Sequence, residues 1–380
     1  MAGTIAWRQT PSQASEPRGM TTISWWEILA WSFSPLSWLW QAFTAEDAAS
    51  FLPPAHNIFN VLIAMLVALA LDRLWGEPPV WMHPVVYMGK ALGWLGQWIA
   101  PRKEHRHDWL RFVLAAIVWC ALAVFVFVIY WVVQFLLPYQ PWWLPGVLVG
   151  VLLKPMLSWR MLKDEVLAVE AALQQSLPAG RERLSWLVSR DTTELDAATV
   201  RESAIETLAE NLCDSVIAPL FWFVVAGLPG AAVYRFANTA DAMWGYPGWR
   251  GAGDKRRHWQ WAGKWAARAD DVLNWIPARL TAAWLALLAG GLPWQSLRQQ
   301  AQVTPSPNGG WTMGAMALAL GVKLSKPGVY QLNAAGASPH ASDLKKAIDL
   351  ASKVVVVQVL CALVAMVLMA LWIWMETGRG

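Results

Sequence analysis

Two long runs of apolar residues stand out along the chain, at residues 112–137 and 354–375. Gln134 is the only strongly polar residue in the first run, and Gln358 the only one in the second. A helix needs roughly 20 apolar residues to cross the hydrocarbon core of a bilayer. Each run is long enough and therefore predicts a membrane-spanning helix.

Three further runs are apolar but shorter or interrupted, at residues 58–71, 215–234 and 280–294. The second carries no charge but contains Pro219 and Pro229, which remove helical hydrogen bonds. Each of the three is a candidate span. Two short runs, at residues 142–153 and 311–322, are typical of re-entrant or packed helices.

The composition supports a membrane protein. Hydrophobic residues make up 56% of the chain and charged residues only 15%, whereas soluble domains carry about 25% charged residues. The 29 tryptophans fit many crossings of the lipid headgroup region, where an indole packs against lipid with its N–H wet. The net charge of +4 is too small, and its basic residues too scattered, for a nucleic-acid partner. We therefore predict an all-α, polytopic integral membrane protein with about four to six membrane segments.

Basic residues give part of the orientation. The segment after the first candidate span, residues 73–111, is basic, which is typical of a cytoplasmic loop. Residues 235–279 are also basic, yet counting every candidate span as a crossing puts the two segments on opposite sides. We infer that one short or proline-broken segment does not cross.

The first 50 residues differ from the rest. Ser, Pro and Gln dominate up to about residue 20, and a stretch with five tryptophans follows at residues 24–43. This extension lacks the clean apolar core of a signal peptide, so we interpret it as an interfacial helix or a tail. Residues 51–380 are expected to form a single helical membrane domain.

The three cysteines include no C-x-x-C pair, so neither a zinc site nor a redox pair is indicated.

Four acidic residues follow one another at every fourth position before the run at 215–234: Glu202, Glu206, Glu210 and Asp214. Side chains four apart share one face of an α-helix, so these form one carboxylate row in which like charges repel. A solvated helix face is one interpretation. However, the apolar continuation would place Asp214 at the membrane interface, where a lone carboxylate is costly. Oxygen ligands of this kind suit Mg²⁺.

More polar residues flank this row. Arg190 can grip a phosphate or carboxylate, or else Asp191 or Thr192 simply caps the next helix. After the apolar run come Asn238 and Asp241. A third group lies where the next apolar segment begins, and it consists of Arg268, Asp270, Asn274 and Arg279. Charged residues in such a segment are costly unless they have partners or a function there. Asp270 and Asn274 share a helix face.

Two loops add candidate residues. His83 lies in a turn-rich segment, where it serves either as a structural hydrogen-bonding residue or as a base. The turn at residues 306–310, with Asn308, opens a small-residue helix and can offer backbone N–H groups to an anion. The chain has no P-loop, dinucleotide fingerprint, H-E-x-x-H motif or nucleophile elbow.

Together these motifs resemble the adenosylcobinamide-phosphate synthase family of cobalamin (vitamin B12) biosynthesis. The matching stretches follow the family's order over roughly residues 55–335. They are LDRLWGEP at 71–78, HPVV at 83–86, SRDT at 189–192, the acidic helix at 204–214, APLF at 218–221, and the segments 234–246, 267–279 and 306–309. Glu77 stands where the family usually shows Asp, and the leader up to residue 50 has no recognised counterpart.

The resemblance implies an ATP-dependent amide ligation of adenosylcobyric acid with (R)-1-aminopropan-2-ol phosphate. It further implies a multi-pass protein of the cytoplasmic (inner) membrane whose site faces the cytoplasm, where ATP is found. The expected Mg²⁺ ligands are Glu206, Glu210 and Asp214. Asp191, Asp241 and Asp270 are the expected catalytic acids and bases. The expected substrate- and phosphate-binding residues are His83, Arg190, Asn211, Asn238, Arg268, Asn274, Arg279 and Asn308.

Two other functions stay open on the sequence. Intramembrane carboxylates and proline-broken spans also occur in transporters, so a corrinoid permease is one alternative. No pair of equivalent halves is visible in this chain, which argues against it. The other is a non-catalytic sensory relative of the same fold, against which the complete acidic set argues.

Overall fold

The computed structural model describes residues 55–104, 107–137 and 141–377, and helices dominate it. In chain order the helices of the described residues are α1 Ala55–Trp75, α2 Pro84–Ile99, α3 Trp109–Phe135, α4 Leu144–Leu153, α5 Trp159–Gln175, α6 Leu177–Ser185, α7 Ala197–Leu212, α8 Ala218–Trp244, α9 Lys264–Leu273, α10 Trp275–Leu288, α11 Trp294–Ala301, α12 Gly309–Leu320 and α13 Ala341–Thr377. The predicted extension at residues 1–50 lies outside the described residues. The division into this extension and one domain at 51–380 stays a prediction.

Two small antiparallel hairpins interrupt the helices. Strand β1 (Trp249–Arg250) pairs with β2 (Arg257–His258), and β3 (Leu324–Lys326) pairs with β4 (Tyr330–Leu332). The all-α prediction is confirmed apart from these short strands, which the apolar pattern did not indicate. The second hairpin matters for the site because it lies beside α7.

Three helices of the described chain are long and apolar enough to cross a bilayer: Trp109–Phe135, Ala197–Trp244 and Ala341–Leu368. Helix α3 points apolar side chains outward, with Val124 61% and Phe125 62% exposed. Such a surface needs an apolar surrounding, which lipid supplies. The spans predicted at residues 112–137 and 354–375 lie in α3 and α13, which confirms a helical membrane protein. The run at 280–294 was wrong as one segment, because α10 ends at Leu288 and α11 begins at Trp294.

The second of these helices, Ala197–Trp244, is not continuous. Ala226 and Gly227 leave the helical region, with Gly227 at φ 66° and ψ −162°, a conformation open essentially to glycine alone. The Oε1 atom of Gln134 in α3 accepts the N–H of Leu228 at 3.0 Å. Pro229 has no N–H to satisfy. The break therefore leaves no backbone N–H unpaired at residues 228 and 229, where an apolar surrounding would make an unpaired group costly.

The break turns the chain back on itself. Arg235 Nη1 lies 3.4 Å from Ser215 Oγ, and Asn238 Nδ2 lies 3.3 Å from Asp214 Oδ2. Residues 214 and 238 would be roughly 36 Å apart in an unbroken helix. Residues 197–225 and 228–244 therefore form a helical hairpin, with its tip at residues 226–227 and both open ends at one end of the molecule.

The helical hairpin corrects the sequence interpretation of residues 215–234 as one crossing segment. A hairpin enters and returns, so it adds no net crossing, whatever depth its tip reaches. The basic segments at residues 73–111 and 235–279 contact each other directly, since the His258 N–H donates to the Pro101 carbonyl at 3.0 Å. The conflict in the simple count came from reading the Pro- and Gly-containing turn as part of a straight span.

Substituting Gly227 with Ala should destabilise the fold by about 3 kcal/mol, because the added Cβ forces the residue out of a region reserved for glycine. The Cβ would also lie 3.0 Å from Gln134 Oε1. Gly321 supplies a matched control, since it has the same φ of 66° at the end of α12 but nothing within 4 Å of a Cβ. Gly321→Ala should lose only about 1–2 kcal/mol. Thermal or SDS denaturation in detergent measures both, and equal losses would contradict the special role of the hairpin tip.

Helix α7 lies at the centre of the fold. Its apolar side chains Val200, Ile205, Leu208 and Leu212 are completely buried, and it packs against α5, α12 and α13. Asp196 caps its start by accepting the N–H of Thr199 at 2.7 Å. The acidic row is therefore carried by a helix that the surrounding elements hold in place.

Helix α4 packs closely along α1. A Cβ added to Gly146 would lie 2.7 Å from Asn60 Oδ1, and one added to Gly150 would lie 2.7 Å from Val67 Cβ. Only glycine permits this approach of the two backbones. The contact confirms that residues 142–153 form a packed short helix, and it brings Lys154, just after α4, to the end of α1.

Candidate active site

A polar cavity of about 30 Å³ lies at the open end of the helical hairpin, enough for about two water molecules or an ion with part of its hydration shell. The end of α7, the turn after it, and helices α9, α10 and α12 supply its walls. Its lining residues are Glu210, Cys213, Asp214, Asp270, Asn274, Ala278, Ser306, Asn308, Gly309 and Thr312. Five of the sequence-predicted site residues therefore meet here: Glu210, Asp214, Asp270, Asn274 and Asn308.

A π-helical turn at Cys213–Ile217 places Asp214 at the cavity. Such turns inside α-helices are frequent at functional sites because they redirect side chains. Asn238, from the returning arm of the helical hairpin, approaches Asp214 Oδ2 at 3.3 Å and Asp270 Oδ1 at 3.4 Å through the same Nδ2 atom. One amide thus serves two carboxylates, and neither acid has an ion-pair partner among the described residues.

Asp270 is held by two asparagines. Besides the contact with Asn238, it accepts a hydrogen bond from Asn274 Nδ2 at 3.0 Å, which confirms that residues 270 and 274 share a helix face. The hydroxyl of Tyr234 donates to Asn274 Oδ1 at 2.9 Å and fixes the orientation of that amide. Burial and the nearby carboxylate of Asp241 together raise the pKa of Asp270 to about 7.

The loop before α12 closes one side of the cavity. Asn308 donates through Nδ2 to the carbonyl of Asp271 at 2.7 Å and accepts from Arg279 Nη1 at 3.2 Å. Ser306 donates to Asp271 Oδ1 at 3.3 Å. Arg279 stacks over the rings of Trp275 and Trp311. The predicted residues Arg279 and Asn308 therefore lie together at the cavity edge, with the Arg279 guanidinium fixed by both contacts.

The acidic row divides into two halves. Glu206 Oε2 pairs with Arg190 Nη2 at 2.9 Å. Glu202 Oε1 pairs with Lys323 Nζ at 3.4 Å, and its other oxygen accepts from Ser325 of β3. Both glutamates are about 1% exposed, so the interpretation of the acidic row as a solvated helix face does not apply to them.

Glu210 and Asp214 form the other half and reach the cavity without such partners. Among the residues that the structure describes, no three His, Cys, Asp or Glu side chains converge on one possible metal position. The expected set of Glu206, Glu210 and Asp214 is thus not preformed, because Arg190 draws Glu206 away. Mg²⁺ commonly uses only one or two carboxylates together with substrate phosphates and water, which Glu210 and Asp214 still fit.

Other predicted residues lie outside the cavity lining. Asp191 is exposed and accepts from the N–H and hydroxyl of Thr193, which lowers its pKa. The capping alternative named the wrong residue, because Asp196 caps α7. Asn211 donates to the carbonyl of Thr207 in its own helix, and Arg268 is exposed. Asp241, half-buried, lies near enough to influence Asp270.

His83 belongs to a second polar cluster, formed by Asp72, Glu77, His83 and Lys154. Its Nε2 lies 2.9 Å from Glu77 Oε2, while Lys154 Nζ lies 3.1 Å from Glu77 Oε1 and 3.2 Å from Asp72 Oδ1. Burial alone would raise the pKa of Glu77, but the hydrogen bond with His83 and the Lys154 ammonium together lower it. His83 precedes Pro84 at the start of α2, so this contact ties the loop to the end of α4.

Three cations of the site region were missed by sequence reasoning: Lys154, Arg235 and Lys323. Lys154 and Arg235 could have been found, since each is a single charge directly after an apolar run, where an unpaired charge is costly. Lys323 also follows an apolar run, at residues 311–322, but the sequence does not show which acid it pairs with. It reaches Glu202 only because the β3–β4 hairpin folds onto α7.

The chain was also compared with known proteins. A family model described as CobD/Cbib protein matches residues 65–355. The chain is 40% identical over 276 residues to the probable cobalamin biosynthesis protein CobD of Methanothermobacter thermautotrophicus, covering 70% of this chain and 85% of that protein. It is 39% identical over 306 residues to the cobalamin biosynthesis protein CobD of Chromobacterium violaceum, covering 77% of this chain and 93% of the relative.

No solved structure matches the chain. The family match includes every residue of the polar cavity and of the cluster around Lys154. The resemblance predicted from the motifs is confirmed over most of the chain by both the model and the relatives. This helical membrane protein therefore belongs to the CobD/CbiB family of cobalamin biosynthesis.

Proposed function

We propose that the protein is an adenosylcobinamide-phosphate synthase, which joins adenosylcobyric acid to (R)-1-aminopropan-2-ol phosphate with consumption of ATP. Membership of a cobalamin biosynthesis family supports the corrinoid substrate. The observation that carries the proposal is the polar cavity, where Glu210, Asp214 and Asp270 converge with three asparagine amides at one end of the helical hairpin.

Amide formation from a free carboxylate requires activation. In the proposed reaction a carboxylate oxygen of the corrinoid attacks the γ-phosphorus of ATP, the bond from that phosphorus to ADP breaks, and an acyl phosphate forms. The amine nitrogen then bonds to the acyl carbon while the bond from that carbon to the phosphate oxygen breaks. Inorganic phosphate leaves, and a base accepts the proton lost by the amine.

Asp270 is the proposed base. A carboxyl whose pKa lies near 7 is deprotonated often enough, and basic enough, to accept a proton at neutral pH. Its two asparagine partners fix its orientation, and Asp241 helps to hold its pKa high. Arg279 and Asn308 at the cavity edge are proposed to bind a phosphate or a corrin carboxylate, because a guanidinium fork matches either group.

A divalent cation fits the remaining acids. Glu210 and Asp214 form no ion pair within the described residues, and their carboxylate oxygens are the donor type that Mg²⁺ prefers. Mg²⁺ held there would neutralise charge on the transferred phosphoryl group. The cavity is far too small for a corrin ring, so the proposal places the large substrate outside it, with only its reacting carboxyl entering.

We further propose that the protein lies in the inner membrane and that the cavity end of the molecule faces the cytoplasm. ATP is a cytoplasmic substrate, and basic loops are typical of the cytoplasmic side. The basic segments at residues 73–111 and 235–279 contact each other, because Arg257 Nε donates to the carbonyl of Gln97 at 3.2 Å. Asp270 and Asn274 of the cavity belong to the second of these segments, and Glu77 and His83 of the cluster around Lys154 belong to the first.

The test is reconstitution. Detergent-purified protein is incubated with adenosylcobyric acid, aminopropanol phosphate, ATP and Mg²⁺, and the corrinoids are separated and identified by mass. We expect adenosylcobinamide phosphate together with one ADP per product. A reaction without the amine, and one without Mg²⁺, are the controls.

The outcomes separate the alternative functions. ADP release with no new corrinoid, with or without the amine, would count against ligation. Uptake of corrinoid into sealed liposomes without chemical change would indicate a permease. Corrinoid binding without turnover or transport would indicate a sensory relative.

A further inference from the structure

Arg235 lies on the returning arm of the helical hairpin, next to the cavity but not in its lining. Its guanidinium contacts three neutral oxygens from three parts of the chain. Nη1 lies 3.4 Å from Ser215 Oγ and 3.5 Å from Asn238 Oδ1, and Nη2 lies 3.4 Å from Ser158 Oγ. Its Nε atom is buried and has no partner among the described residues.

These contacts leave the cation poorly satisfied. A good N–H to oxygen hydrogen bond measures about 2.9 Å, so all three are long. The neighbouring acids are Glu77 and Asp214, but neither forms an ion pair with Arg235. Glu77 is already bound to His83 and Lys154. A guanidinium enclosed by protein without a counter-ion is unfavourable.

Lys154 provides the comparison within the same region. This lysine is buried, and two carboxylates lie within 3.2 Å of its ammonium group. The fold therefore supplies counter-ions for Lys154 but not for the half-buried Arg235. Ser158 links the two, because it follows α4 and Lys154 closely in the chain and touches Arg235.

The surrounding hydroxyls point to an anion. Ser158 and Ser215 accept hydrogen bonds from Arg235, and in the described part of the chain neither hydroxyl donates one. Each keeps a proton for an incoming oxygen. A planar guanidinium flanked by two serine hydroxyls is a set of donors suited to the oxygens of a phosphate group.

We propose that Arg235, Ser158 and Ser215 bind a phosphate group of a substrate, a role that neither the sequence motifs nor the cavity assigned to them. This inference rests on the proposed ligase function and specifies where one of its phosphates lies. Asn238 connects this position to the cavity, since its Oδ1 faces Arg235 and its Nδ2 faces Asp214. A phosphate at Arg235 is thus held next to the acids of the reaction site.

Two substrates carry phosphate, namely ATP and aminopropanol phosphate, and kinetics distinguishes them. Arg235→Gln should raise the KM of the substrate bound there by about 10- to 100-fold, the range expected for losing hydrogen bonds to a charged group. Arg235→Lys keeps the charge but loses the fork, so its KM should lie between those of the wild type and Arg235→Gln. Ser158→Ala should raise the KM of the same substrate only.

A second measurement does not require turnover. Thermal stabilisation of the detergent-purified protein is recorded with ATP, with aminopropanol phosphate, with the unphosphorylated 1-aminopropan-2-ol and with inorganic phosphate. The variants should lose stabilisation by one phosphorylated ligand and keep it for the others. Arg298→Gln, at an exposed arginine of α11, is the matched control and should behave as the wild type.

Each outcome decides the inference. A rise confined to ATP assigns its phosphates to Arg235, and a rise confined to aminopropanol phosphate assigns that group instead. Unchanged KM values in an active Arg235→Gln protein would overturn the inference and leave the ligase function standing. If the wild type makes no product, the ligase function fails, and the binding measurement alone judges Arg235. Should Arg235→Gln not fold, Arg235→Lys and Ser158→Ala give the same comparison.

Discussion

An Asp214→Asn variant is expected to lose amide-ligase activity by roughly a thousandfold, which corresponds to about 4 kcal/mol of transition-state stabilisation. The substitution keeps the shape of the side chain and its place in the π-helical turn, but it removes a charge proposed to bind Mg²⁺. Product formation by purified protein at saturating substrates measures the loss.

The same variant should fold at least as well as the wild type. Asp214 and Asp270 share the single Nδ2 donor of Asn238, so removing one negative charge relieves repulsion between them. Its thermal midpoint should therefore be equal or higher, while stabilisation by added Mg²⁺ disappears. Asp164→Asn is the control, because Asp164 is an exposed acid paired with Arg160 in α5. Near-normal activity of Asp214→Asn would remove Asp214 from the proposed mechanism.

Lys154→Met is expected to have the largest effect on stability, a loss of about 3–5 kcal/mol. Lys154 is 6% exposed and neutralises both Asp72 and Glu77, so its removal leaves the buried Asp72 without a cation and the half-buried Glu77 with His83 alone. Denaturation in detergent measures the loss, and the variant should also expose the loop held by His83 to proteolysis.

Two comparisons test the reason for that loss. Lys346→Met removes the ion pair of an exposed lysine with Asp343, and screening of the lysine by water should limit the cost to about 1 kcal/mol. Adding Glu77→Gln to Lys154→Met should recover part of the stability, because one of the stranded charges is gone. A Lys154→Met protein as stable as Lys346→Met would show that Asp72 and Glu77 are neutralised by other means.

Residue spacing was enough to find most of the cavity. Asp214 and Glu210 were recognised because acids precede an apolar run, and Asp270 and Asn274 because they share a helix face at the start of another. Both signals are local. Placing a carboxylate beside apolar sequence has a physical cost that calls for a partner, and that cost can be seen in the sequence.

The division of the acidic row could not be predicted in the same way. Glu202 and Glu206 look identical to Glu210 and Asp214 along the helix, and what separates them is Lys323 and Arg190, delivered by other segments. A helical repeat gives the face on which side chains lie, whereas it says nothing about the charges that other elements bring to that face. The spacing therefore did not show that Glu206 pairs with Arg190, and the three-acid metal set stays a prediction.

The helical hairpin likewise could be predicted only in part from the sequence. Pro219 and Pro229 indicated an interruption, but an interruption can be a kink within one span or a full reversal. Gln134 stabilises the reversal from a different helix, by accepting the Leu228 N–H. The choice between the two geometries therefore depended on a residue almost a hundred positions away.

By itself, the sequence determined that this is a helical membrane protein of a cobalamin biosynthesis family and that acids and amides concentrate at residues 202–274. Hydrophobic run length, four-residue spacing and motif order are all local properties, so folding is not needed to read them. The tertiary structure alone decided which acids are neutralised and which face the cavity, and where the chain reverses. It also left Arg235 without a counter-ion, because ion pairs and backbone reversals depend on contacts between residues far apart in the chain.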